Sequence, residues 1–354
     1  TTWGESHGSA VGVIIDGCPA GLQITQGEIE AALAKRAPGG NFYVSQRREP
    51  DRVEILSGVY QERTTGAPIQ LMIANCDVDS SAYSPVNHLL RPGHANATYL
   101  EKYGHYDPRG GGRASARETA CRVAAGAVAE ALLRKQTIVI SAFLYQVGSD
   151  RLDADRESRP CGCLEEGLAE SVIFCPDRDV ERVFSKTLEN ALSEGDSIGG
   201  VVSFRAEGVP SGLGSPIYDK LEASLAYAML SIPASKGFEI GSGFSCASHQ
   251  GSTHNDLFRA RGDRGLITET NHAGGTLGGI STGMPITGRV YFKPTSSIRK
   301  PQKTLTVNGD SSELELPSHS RHDPCVAIRA VPVVRAMVAL VLADALLMNR
   351  SARV

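Results

Sequence analysis

The chain of 354 residues is long enough for one large domain or two, and its 41% hydrophobic and 21% charged residues are typical of a globular protein. A formal net charge of −3 excludes the strong global field of a nucleic-acid or membrane-surface binder, so affinity for anions must come from local arginine clusters. The most apolar run, 333–348, is interrupted by Arg335 and Asp344, which argues against a membrane span. We therefore expect a cytoplasmic protein with no nucleic-acid and no membrane partner.

The eight cysteines are scattered along a chain of this size, which indicates reduced thiols rather than disulfide staples. Cys161, Cys163 and Cys175 form the closest group, but a fourth ligand at zinc spacing is missing, so no metal site is predicted. The sequence opens on Thr1 without a methionine or an apolar leader. We expect that a few residues precede Thr1, and we do not expect a secretory signal peptide.

Short apolar runs bounded by turn residues predict strands at several places along the chain. They cover 11–15, 53–56, 69–73, 137–143, 200–204 and 289–292. In contrast, 150–195 is polar and irregular, and 300–320 is interpreted as a long loop. A loop of that length in a compact protein often forms a lid or part of a site.

Helix starts and stops are also visible in the sequence. The first helix opens with a capping box at 25–28 and is stopped by the Pro-Gly-Gly of 38–40. A second capping box at 115–118 precedes an apolar stripe at helical spacing. Further helices are predicted at about 220–230 and from about Pro332, at a first helical position, to 348.

Three short segments recur in the same order in the two parts of the chain. The pairs are Gly17-Cys18-Pro19-Ala20-Gly21-Leu22 with Gly208-Val209-Pro210-Ser211-Gly212-Leu213, Thr65-Gly66-Ala67-Pro68-Ile69 with Thr282-Gly283-Met284-Pro285-Ile286, and Arg113-Ala114-Ser115 with Arg321-His322-Asp323. Each match alone is weak, but three in one order favour a duplicated fold with a site between its halves. We predict a single catalytic domain, 1–354, with half-repeats at about 1–140 and 195–354 and an irregular segment, 141–194, between them.

The segment Gly110-Gly111-Gly112-Arg113-Ala114-Ser115-Ala116-Arg117-Glu118 has the composition of an anion site. Glycines bring backbone N–H groups close to a ligand, and a helix N-terminus carries partial positive charge. Arg113 and Arg117 are four residues apart and are expected on one side of the first turn, with Arg109 and Arg122 nearby. The alternative is an ordinary glycine loop beside a solvated arginine face, but arginine is best used where it meets a phosphate or carboxylate.

Two further basic groups suit anionic ligands. One is Arg36 with Arg47 and Arg48. The other is the turn Lys293-Pro294-Thr295-Ser296-Ser297, in which a lysine is followed by consecutive hydroxyls that suit a phosphate. Turns rich in serine and threonine are common, so this second signal is weak alone.

Two histidines, His7 and His94, lie in glycine-containing turns, where a histidine can donate a proton near neutral pH or simply face solvent. Gly4-Glu5-Ser6-His7-Gly8 also matches the nucleophile elbow of serine hydrolases, with His319 or His322 as the base. Asp323 either caps the final helix or faces a bound cofactor. The sequence contains neither a dinucleotide-binding G-x-G-x-x-G after a strand nor a P-loop.

Taken together, five segments resemble the chorismate synthase family, in order and over nearly the whole chain. They are Gly4-Glu5-Ser6-His7-Gly8, Arg91-Pro92-Gly93-His94-Ala95, Gly112-Arg113-Ala114-Ser115-Ala116-Arg117-Glu118-Thr119, Gly195-Asp196-Ser197-Ile198-Gly199-Gly200 and Arg321-His322-Asp323-Pro324-Cys325. The combination is highly specific, although each piece alone is not.

The resemblance implies an α+β fold, a βαβ sandwich with internal two-fold pseudosymmetry, assembled as a homotetramer. It implies the last step of the shikimate pathway, an anti-1,4 elimination of phosphate and a ring proton from 5-enolpyruvylshikimate 3-phosphate to give chorismate. The family requires reduced FMN without net redox change, and some members use NADP. A separate NADPH motif is missing here, so an external flavin reductant is expected.

By the same resemblance, His7 protonates the departing phosphate, and His94 stabilises or protonates the reduced flavin. Asp323, with Ser6 nearby, helps to relay the ring proton from the flavin N5 region. The implied FMN contacts are Arg113, Ala114, Ser115, Ala234, Gly278, Lys293, Pro294, Thr295, Ser296, Ser297 and Arg321. The implied substrate contacts are Arg36, Arg47 and Arg117, with Arg36 facing a nicotinamide donor as the alternative.

The chain departs from the family pattern at two positions. Phe42 stands where a second arginine is frequent, which weakens the expected contact with substrate or NADPH in that part of the site. Pro233 stands where asparagine is common. The N-terminal strand is also short.

Overall fold

A computed structural model describes residues 1–37, 39, 42–44, 49–77, 86–260, 266–316 and 323–353. The first part of the chain contains β1 (Thr2–Trp3), β2 (Ala10–Ile15), α1 (Gln26–Arg36), β3 (Val53–Ser57), β4 (Val59–Tyr60), β5 (Arg63–Thr64), β6 (Ile69–Ala74), α2 (Asn96–Tyr103) and α3 (Thr119–Arg134). Then follow β7 (Val139–Val147), β8 (Asp150–Arg151), α4 (Ala154–Glu157), α5 (Cys161–Leu168) and α6 (Arg178–Ser193). The last part contains β9 (Gly200–Glu207), α7 (Leu221–Leu230), β10 (Ser235–Ile240), α8 (Gly251–His254), β11 (Phe258–Ala260), β12 (Leu266–Thr268), β13 (Thr276–Leu277), β14 (Ile280–Ser281), β15 (Ile286–Phe292), β16 (Gln302–Leu305), β17 (Ser311–Leu314) and α9 (Val326–Met348).

The two main sheets have the same strand order. The first is β1–β2–β6–β3, and the second is β7–β9–β15–β10 with β8 added at its outer edge. All of these pairings are antiparallel, and β3 and β10 each pair through a register shift. The repeated glycine–proline segments follow β2 and β9 and precede β6 and β15, so the sequence repeat coincides with a structural one.

Helices fill the space between the two sheets. The long helices α3 and α9 pack against each other, α1 lies against α3, and α7 lies against α9. A Cβ at Gly126 would stand 2.3 Å from the Cβ of Ala336, so only glycine permits this close crossing of the two helices. The result is an α+β sandwich with an internal pseudo-two-fold relation, which confirms the predicted fold class.

The apolar helix α9 is part of this core. It is long and apolar enough to cross a membrane by length and composition, but 67% of that stretch is buried inside the fold. Arg335, which interrupts its apolar run, pairs with Glu130 of α3 at 2.9 Å and with Glu165 of α5 at 3.0 Å. An arginine held by two carboxylates is the usual way to bury such a charge in a packed interior.

Local signals at the first helix are confirmed. The Thr25 hydroxyl accepts a hydrogen bond from the Glu28 amide, and the Glu28 carboxylate accepts one from the Thr25 amide at 3.0 Å. The reciprocal pair satisfies two N–H groups that the helix would otherwise leave without partners. Ile29 and Leu33 point into the core from this helix.

Other local predictions are wrong. The final helix begins at Val326 and contains Pro332, since tertiary packing outweighs the one backbone hydrogen bond that proline removes. The predicted capping box at 115–118 does not form, because the Glu118 carboxylate binds Arg122 and Thr2 instead. Asp323 does not cap α9, whose N-cap position is Cys325.

Two segments are more regular than predicted. The segment 141–194 carries most of β7 together with β8, α4, α5 and α6, and β7 is an inner strand of the second sheet. The predicted long loop at 300–320 contains the β16–β17 hairpin. β7 takes its sheet partner β9 from outside the segment. The hairpin has a local ladder, but the Leu90 amide joins it to the preceding part of the chain by donating to the Leu305 carbonyl at 2.8 Å. Local sequence patterns do not reveal such long-range partners.

Candidate active site

A cavity of 680 Å³ lies between the two halves of the molecule. The first half lines it with residues from the turns after β1 and before α2 and from the glycine loop before α3, and the second half with residues before β10, after β15 and at the start of α9. Seven lining side chains are arginine or lysine and three are acidic, so the wall is positive although the whole chain is slightly negative. Such a focused field attracts small polyanions.

The glycine loop packs against the turn that carries Ser6 and His7. The backbone at Gly110 has a φ of +58°, and a Cβ there would lie 2.4 Å from the His7 ring. The Ser6 amide donates a hydrogen bond to the Gly112 carbonyl at 3.3 Å, and Ser6 is only 2% exposed. The glycines therefore allow a backbone to be pressed against the histidine, and both Ser6 and His7 line the cavity.

The expectation that Arg113 and Arg117 share one side of a helical turn is wrong. The Arg113 guanidinium donates to the Gly4 carbonyl at 2.9 Å and to the Thr2 hydroxyl at 2.8 Å, whereas Arg117 turns away to Asp51. The Ser115 hydroxyl accepts from the Arg117 amide, and the turn that follows is a short 3-10 helix. The cavity is lined by Arg113, Ala114, Ser115 and Arg117, although the two arginines are held by different partners.

His94 is held by hydrogen bonds at both ring nitrogens. Nδ1 lies 3.1 Å from the Pro92 carbonyl oxygen, and Nε2 lies 2.9 Å from the Ser297 hydroxyl. Because a carbonyl only accepts, Nδ1 carries the proton, so Nε2 accepts from Ser297 in the neutral ring and donates in the charged one. The hydroxyl can serve either state, which suits a ring that changes its charge.

The turn after β15 forms the facing wall, and Lys293, Pro294, Thr295, Ser296 and Ser297 all line the cavity. Lys293 Nζ donates to the Ser296 hydroxyl at 2.7 Å and to the Gly93 carbonyl at 2.5 Å. Burial, together with the charge of Lys236, lowers the pKa of Lys293 below its usual range. A Cβ at Gly93 would lie 2.6 Å from the Ser296 hydroxyl, so this contact between the two halves requires glycine.

The segment 195–200, recognised in the sequence but without an assigned role, braces this turn. The Ser197 hydroxyl donates to the Thr295 carbonyl at 2.6 Å, and the Ile198 amide donates to the Pro324 carbonyl at 2.8 Å. It therefore connects the turn to the chain that carries Asp323. A Cβ at Gly200 would come within 2.8 Å of Ala327 on α9, which explains the glycine.

Arg329, in the first turn of α9, was missed by sequence reasoning. Its Nη1 lies 3.2 Å from Asp323 Oδ2, and its Nε donates to the Arg36 carbonyl. A lone arginine at the start of an apolar helix was the available signal. Arg91, Glu49, Tyr99 and Tyr106 also line the cavity without having been assigned to it.

The remaining predicted positions divide into three groups. Ala234, with φ at +68°, and Arg36 line the cavity, as does the departure Pro233. Gly278 lies in the turn between β13 and β14, outside the described lining, so one chain does not bring it to this cavity. Arg47 and Arg321 lie outside the described residues, as do Arg48, His319 and His322. Phe42 is 73% exposed and does not belong to the described lining.

All eight cysteines are free thiols. Within the described ranges, histidine, cysteine and carboxylate side chains form no group of three suited to a metal ion. The lining of the cavity offers arginine, lysine, histidine and carboxylate side chains.

Ser6 sits on a turn between two strands and not at a strand-to-helix elbow, so it lacks the setting that the hydrolase motif requires. A cavity with converging guanidinium groups, two histidines and an acid is instead typical of enzymes that act on small polyanions. The class of protein that fits is an enzyme for small anionic substrates with an internally duplicated α+β fold.

Comparisons with known proteins identify the family. The family model for chorismate synthase matches residues 1–347. Chorismate synthases of Protochlamydia amoebophila and Novosphingobium aromaticivorans are 55% and 49% identical, each over 99% of this chain and 95% of the relative. A crystal structure of chorismate synthase superposes with a TM-score of 0.79 at 33% identity, over 99% of this chain and 92% of the other. The chain belongs to the chorismate synthase family, and the serine hydrolase alternative is not supported.

Proposed function

We propose that the protein converts 5-enolpyruvylshikimate 3-phosphate to chorismate by anti-1,4 elimination, with reduced FMN as a required cofactor. The carbon–oxygen bond to phosphate and a ring carbon–hydrogen bond break, and a new double bond forms without net oxidation. The observation that carries the proposal is the positive cavity between the halves, lined by two histidines and seven arginine or lysine side chains. A substrate with one phosphate and two carboxylates needs several separate cationic contacts of this kind.

The residues present fit a flavin phosphate. Lys293 and the hydroxyls of Thr295 and Ser296 converge on one wall, and Arg113 to Ser115 contribute to another. Thr295 Oγ1 is buried and, within the described part of the chain, has no hydrogen-bond partner. A buried hydroxyl without a partner costs free energy, and a bound phosphate oxygen would relieve that cost. When bound, reduced FMN supplies transient electron density to the substrate.

His7 is proposed as the proton donor to the departing phosphate. Its ring is fixed against the Gly110 backbone and lines the cavity beside the glycine loop. Phosphate leaves poorly unless its developing charge is neutralised, and a histidinium with arginines nearby provides both a proton and positive charge. Histidine changes its charge near neutral pH, so it can be recharged between turnovers.

Asp323 is proposed to accept the ring proton, and His94 is proposed to balance the charge of the reduced cofactor. The carboxylate of Asp323 lies in the cavity wall against Arg329 and can take up and pass on the ring proton at Oδ1 or Oδ2, with Ser6 in the same lining. His94 Nε2 faces the hydroxyl of Ser297 and can hold a positive charge beside a reduced, anionic cofactor. Arg36 and Arg117 are proposed to bind the anionic groups of the substrate.

The test is anaerobic turnover of 5-enolpyruvylshikimate 3-phosphate with FMN and dithionite, followed by phosphate release and chorismate absorbance. We expect both products only when the reduced flavin is present. His7→Ala should slow turnover by about 100-fold or more, as expected for loss of a general acid, while the circular dichroism stays unchanged. A lack of phosphate release by the native protein would refute the proposed function, and an unchanged His7→Ala rate would refute the role of His7.

We further propose a homotetramer that receives reduced flavin from an external reductant in the cytoplasm. Exposed apolar side chains support self-association, above all Tyr218 at 89% and Tyr227 at 83% exposure, together with Ile217 and Leu230. Apolar surface of this kind usually marks a contact between proteins. Light scattering should give four times the 37.5 kDa mass, and a monomer at micromolar concentration would refute the assembly.

A further inference from the structure

We propose that Asp51 is the positioning residue that holds Arg36 and Arg117 as a prearranged receptor for an anionic group of the substrate. Asp51 itself belongs neither to the lining of the cavity nor to any predicted set of site residues. It acts through two arginines that do line it. The inference rests on the proposed function for the identity of the anion, but the geometry behind it is independent.

One carboxylate holds both guanidinium groups. Asp51 Oδ2 accepts from Arg36 Nη2 at 2.5 Å, and Asp51 Oδ1 accepts from Arg117 Nη1. All three side chains are almost fully buried, with at most 3% exposed. A carboxylate that uses one oxygen for each partner fixes both the separation and the orientation of the two groups.

The two arginines are left in different states by this arrangement. Each of the three nitrogens of Arg117 already makes one hydrogen bond, because Arg117 also donates to the Asn75 side chain at 2.7 Å and to the Ala74 carbonyl at 3.1 Å. Arg36 uses only Nη2, and within the described residues its buried Nε and Nη1 have no partner. Asp51 thus holds Arg36 at Nη2. The Nε and Nη1 donors of Arg36 remain for a ligand in the cavity that Arg36 lines.

The charges around Arg36 also indicate a receptor for an anion. Burial, and the neighbouring guanidinium groups of Arg329 and Arg117, lower the pKa of Arg36 to about 10, although Asp51 opposes them. Arg329 keeps Asp323 as a partner. Without Asp51, however, the like charges of Arg36 and Arg117 would share a dry site with Glu49, which lies 3.9 Å from Arg117, and they would separate or turn out of it. A bound oxyanion supplies the missing negative charge, so the receptor is complete only with its ligand.

The backbone of Asp51 supports a specialised role. Its φ of +46° is a left-handed conformation that side-chain-bearing residues seldom adopt, and aspartate tolerates it better than most. Strain of this type persists where the surrounding structure holds it in place and is concentrated at functional sites. Here it aims a buried carboxylate between α1, which carries Arg36, and the turn before α3, which carries Arg117.

The experiment is Asp51→Asn, which keeps the shape and removes the charge. Positioning predicts at least tenfold weaker binding of 5-enolpyruvylshikimate 3-phosphate and a KM raised by the same factor, with kcat changed less than threefold. A purely electrostatic role predicts the opposite, because removing a negative charge beside the cavity should tighten anion binding. Unchanged or tighter binding, measured by calorimetry, overturns the proposal.

Three controls make the result specific. Glu130→Gln removes a carboxylate that pairs with a helix arginine away from the cavity, and it should lower stability without changing KM. Asp51→Glu restores the charge and should recover part of the affinity, which also covers the case in which Asp51→Asn does not fold. In an Arg36→Met background, Asp51→Asn should have little further effect on affinity, since the two act as one unit. Additive effects would show that Asp51 does not act through Arg36.

Failure of this proposal can be distinguished from failure of the proposed function. Calorimetry is repeated with inorganic phosphate, which probes the receptor without turnover. If the native protein binds inorganic phosphate but releases no phosphate from the substrate, the proposed elimination is contradicted. The role of Asp51 is then decided by comparing phosphate binding to the native chain and to Asp51→Asn. A native protein that turns over normally, with Asp51→Asn binding both ligands as well as the native chain, contradicts only the positioning role.

Discussion

Two walls of the cavity present positive charge in opposite ways. The arginine wall (Arg36, Arg117 and Arg329) is buried and held by carboxylates, and Arg36 keeps unused donors. The turn wall (His94 and 293–297) is held by hydroxyls and carbonyls, and two donors of its lysine are already bonded within the protein. Arg36 in the first wall gains a partner when an anion binds, whereas Lys293 in the second wall must exchange one partner for another. In the second wall only the buried Thr295 hydroxyl, among the described residues, has no partner to give up. The arginine wall is therefore expected to contribute most to affinity, and the turn wall to alignment and proton handling.

The largest expected effect is on the arginine wall. Arg117→Met leaves Asp51 and Asn75 with lost partners in a dry site, and breaking a buried pair in this way costs about 3–5 kcal/mol of unfolding free energy. Urea titration measures it. The control is Arg134→Met, which removes the exposed pair with Glu28 and should cost about 1 kcal/mol or less. Equal losses in the two variants would contradict the distinction between buried and exposed pairs.

The turn wall should respond in rate more than in stability. His94→Ala removes a ring that hydrogen-bonds Ser297, and we expect kcat to fall by about 100-fold with little change in substrate affinity. Steady-state kinetics with reduced FMN measures both values. His249→Ala is the matched control, because His249 packs against His254 and His272 and does not belong to the described lining. A large change in KM rather than kcat for His94→Ala would reverse the roles assigned to the two walls.

Acid should weaken the arginine wall selectively. Burial raises the pKa of Asp51, but Arg36 and Arg117 lower it by more, so the folded pKa lies below its usual value. The stabilisation is therefore complete above the unfolded pKa of about 3.9 and is lost as the pH falls through the folded value. Unfolding free energies of the native chain and Asp51→Asn should converge below about pH 4. A difference that grows on acidification would show that the sign is wrong.

Alkali should strengthen the turn wall, so that its stability also rises with pH, but in a higher window. The pKa of Lys293 is lowered, so the unfolded chain binds this proton more tightly than the folded one. Stability from this group should rise as the pH passes through the folded pKa toward the unfolded value of about 10.4. The difference in unfolding free energy between the native chain and Lys293→Met reports it across pH 8 to about 10. A native chain that loses stability relative to Lys293→Met in this window contradicts the lowered pKa.

The smallest expected effect tests how the turn wall is braced. Ser197→Ala removes one hydrogen bond to the Thr295 carbonyl, which should cost about 1 kcal/mol. The same turn carries Ser297, whose hydroxyl bonds His94. A displaced turn should alter that bond, and the acidic limb of the pH profile of kcat should therefore shift. Ser193→Ala removes an exposed bond to the Asn190 carbonyl and should leave that profile unchanged. Identical profiles for both variants would show that Ser197 contributes only to stability.

The sequence by itself determined the features that depend on local chemistry and on order along the chain. The capping box at Thr25, the repeated glycine–proline segments and the five motifs of the family were sufficient for the fold class and for part of the cavity lining, including both histidines and Asp323. Local signals succeed there because the turn or cap satisfies its own hydrogen bonds. They failed at Pro332, at Glu118 and in 141–194, where partners far along the chain decide the structure.

Only the tertiary structure decided how the charges are shared. Arg113 and Arg117 are neighbours in sequence, yet one reaches β1 and the other reaches Asp51, because each guanidinium follows the nearest acceptor in the fold. Asp51 has no distinguishing local pattern, and Arg329 is marked only as a lone arginine at the start of an apolar helix. Both matter because packing brings them to Arg36. Coulomb interactions depend on distance and burial, which a sequence does not contain. The motifs therefore identified the family, while the fold determined which arginine keeps donors that no protein group uses.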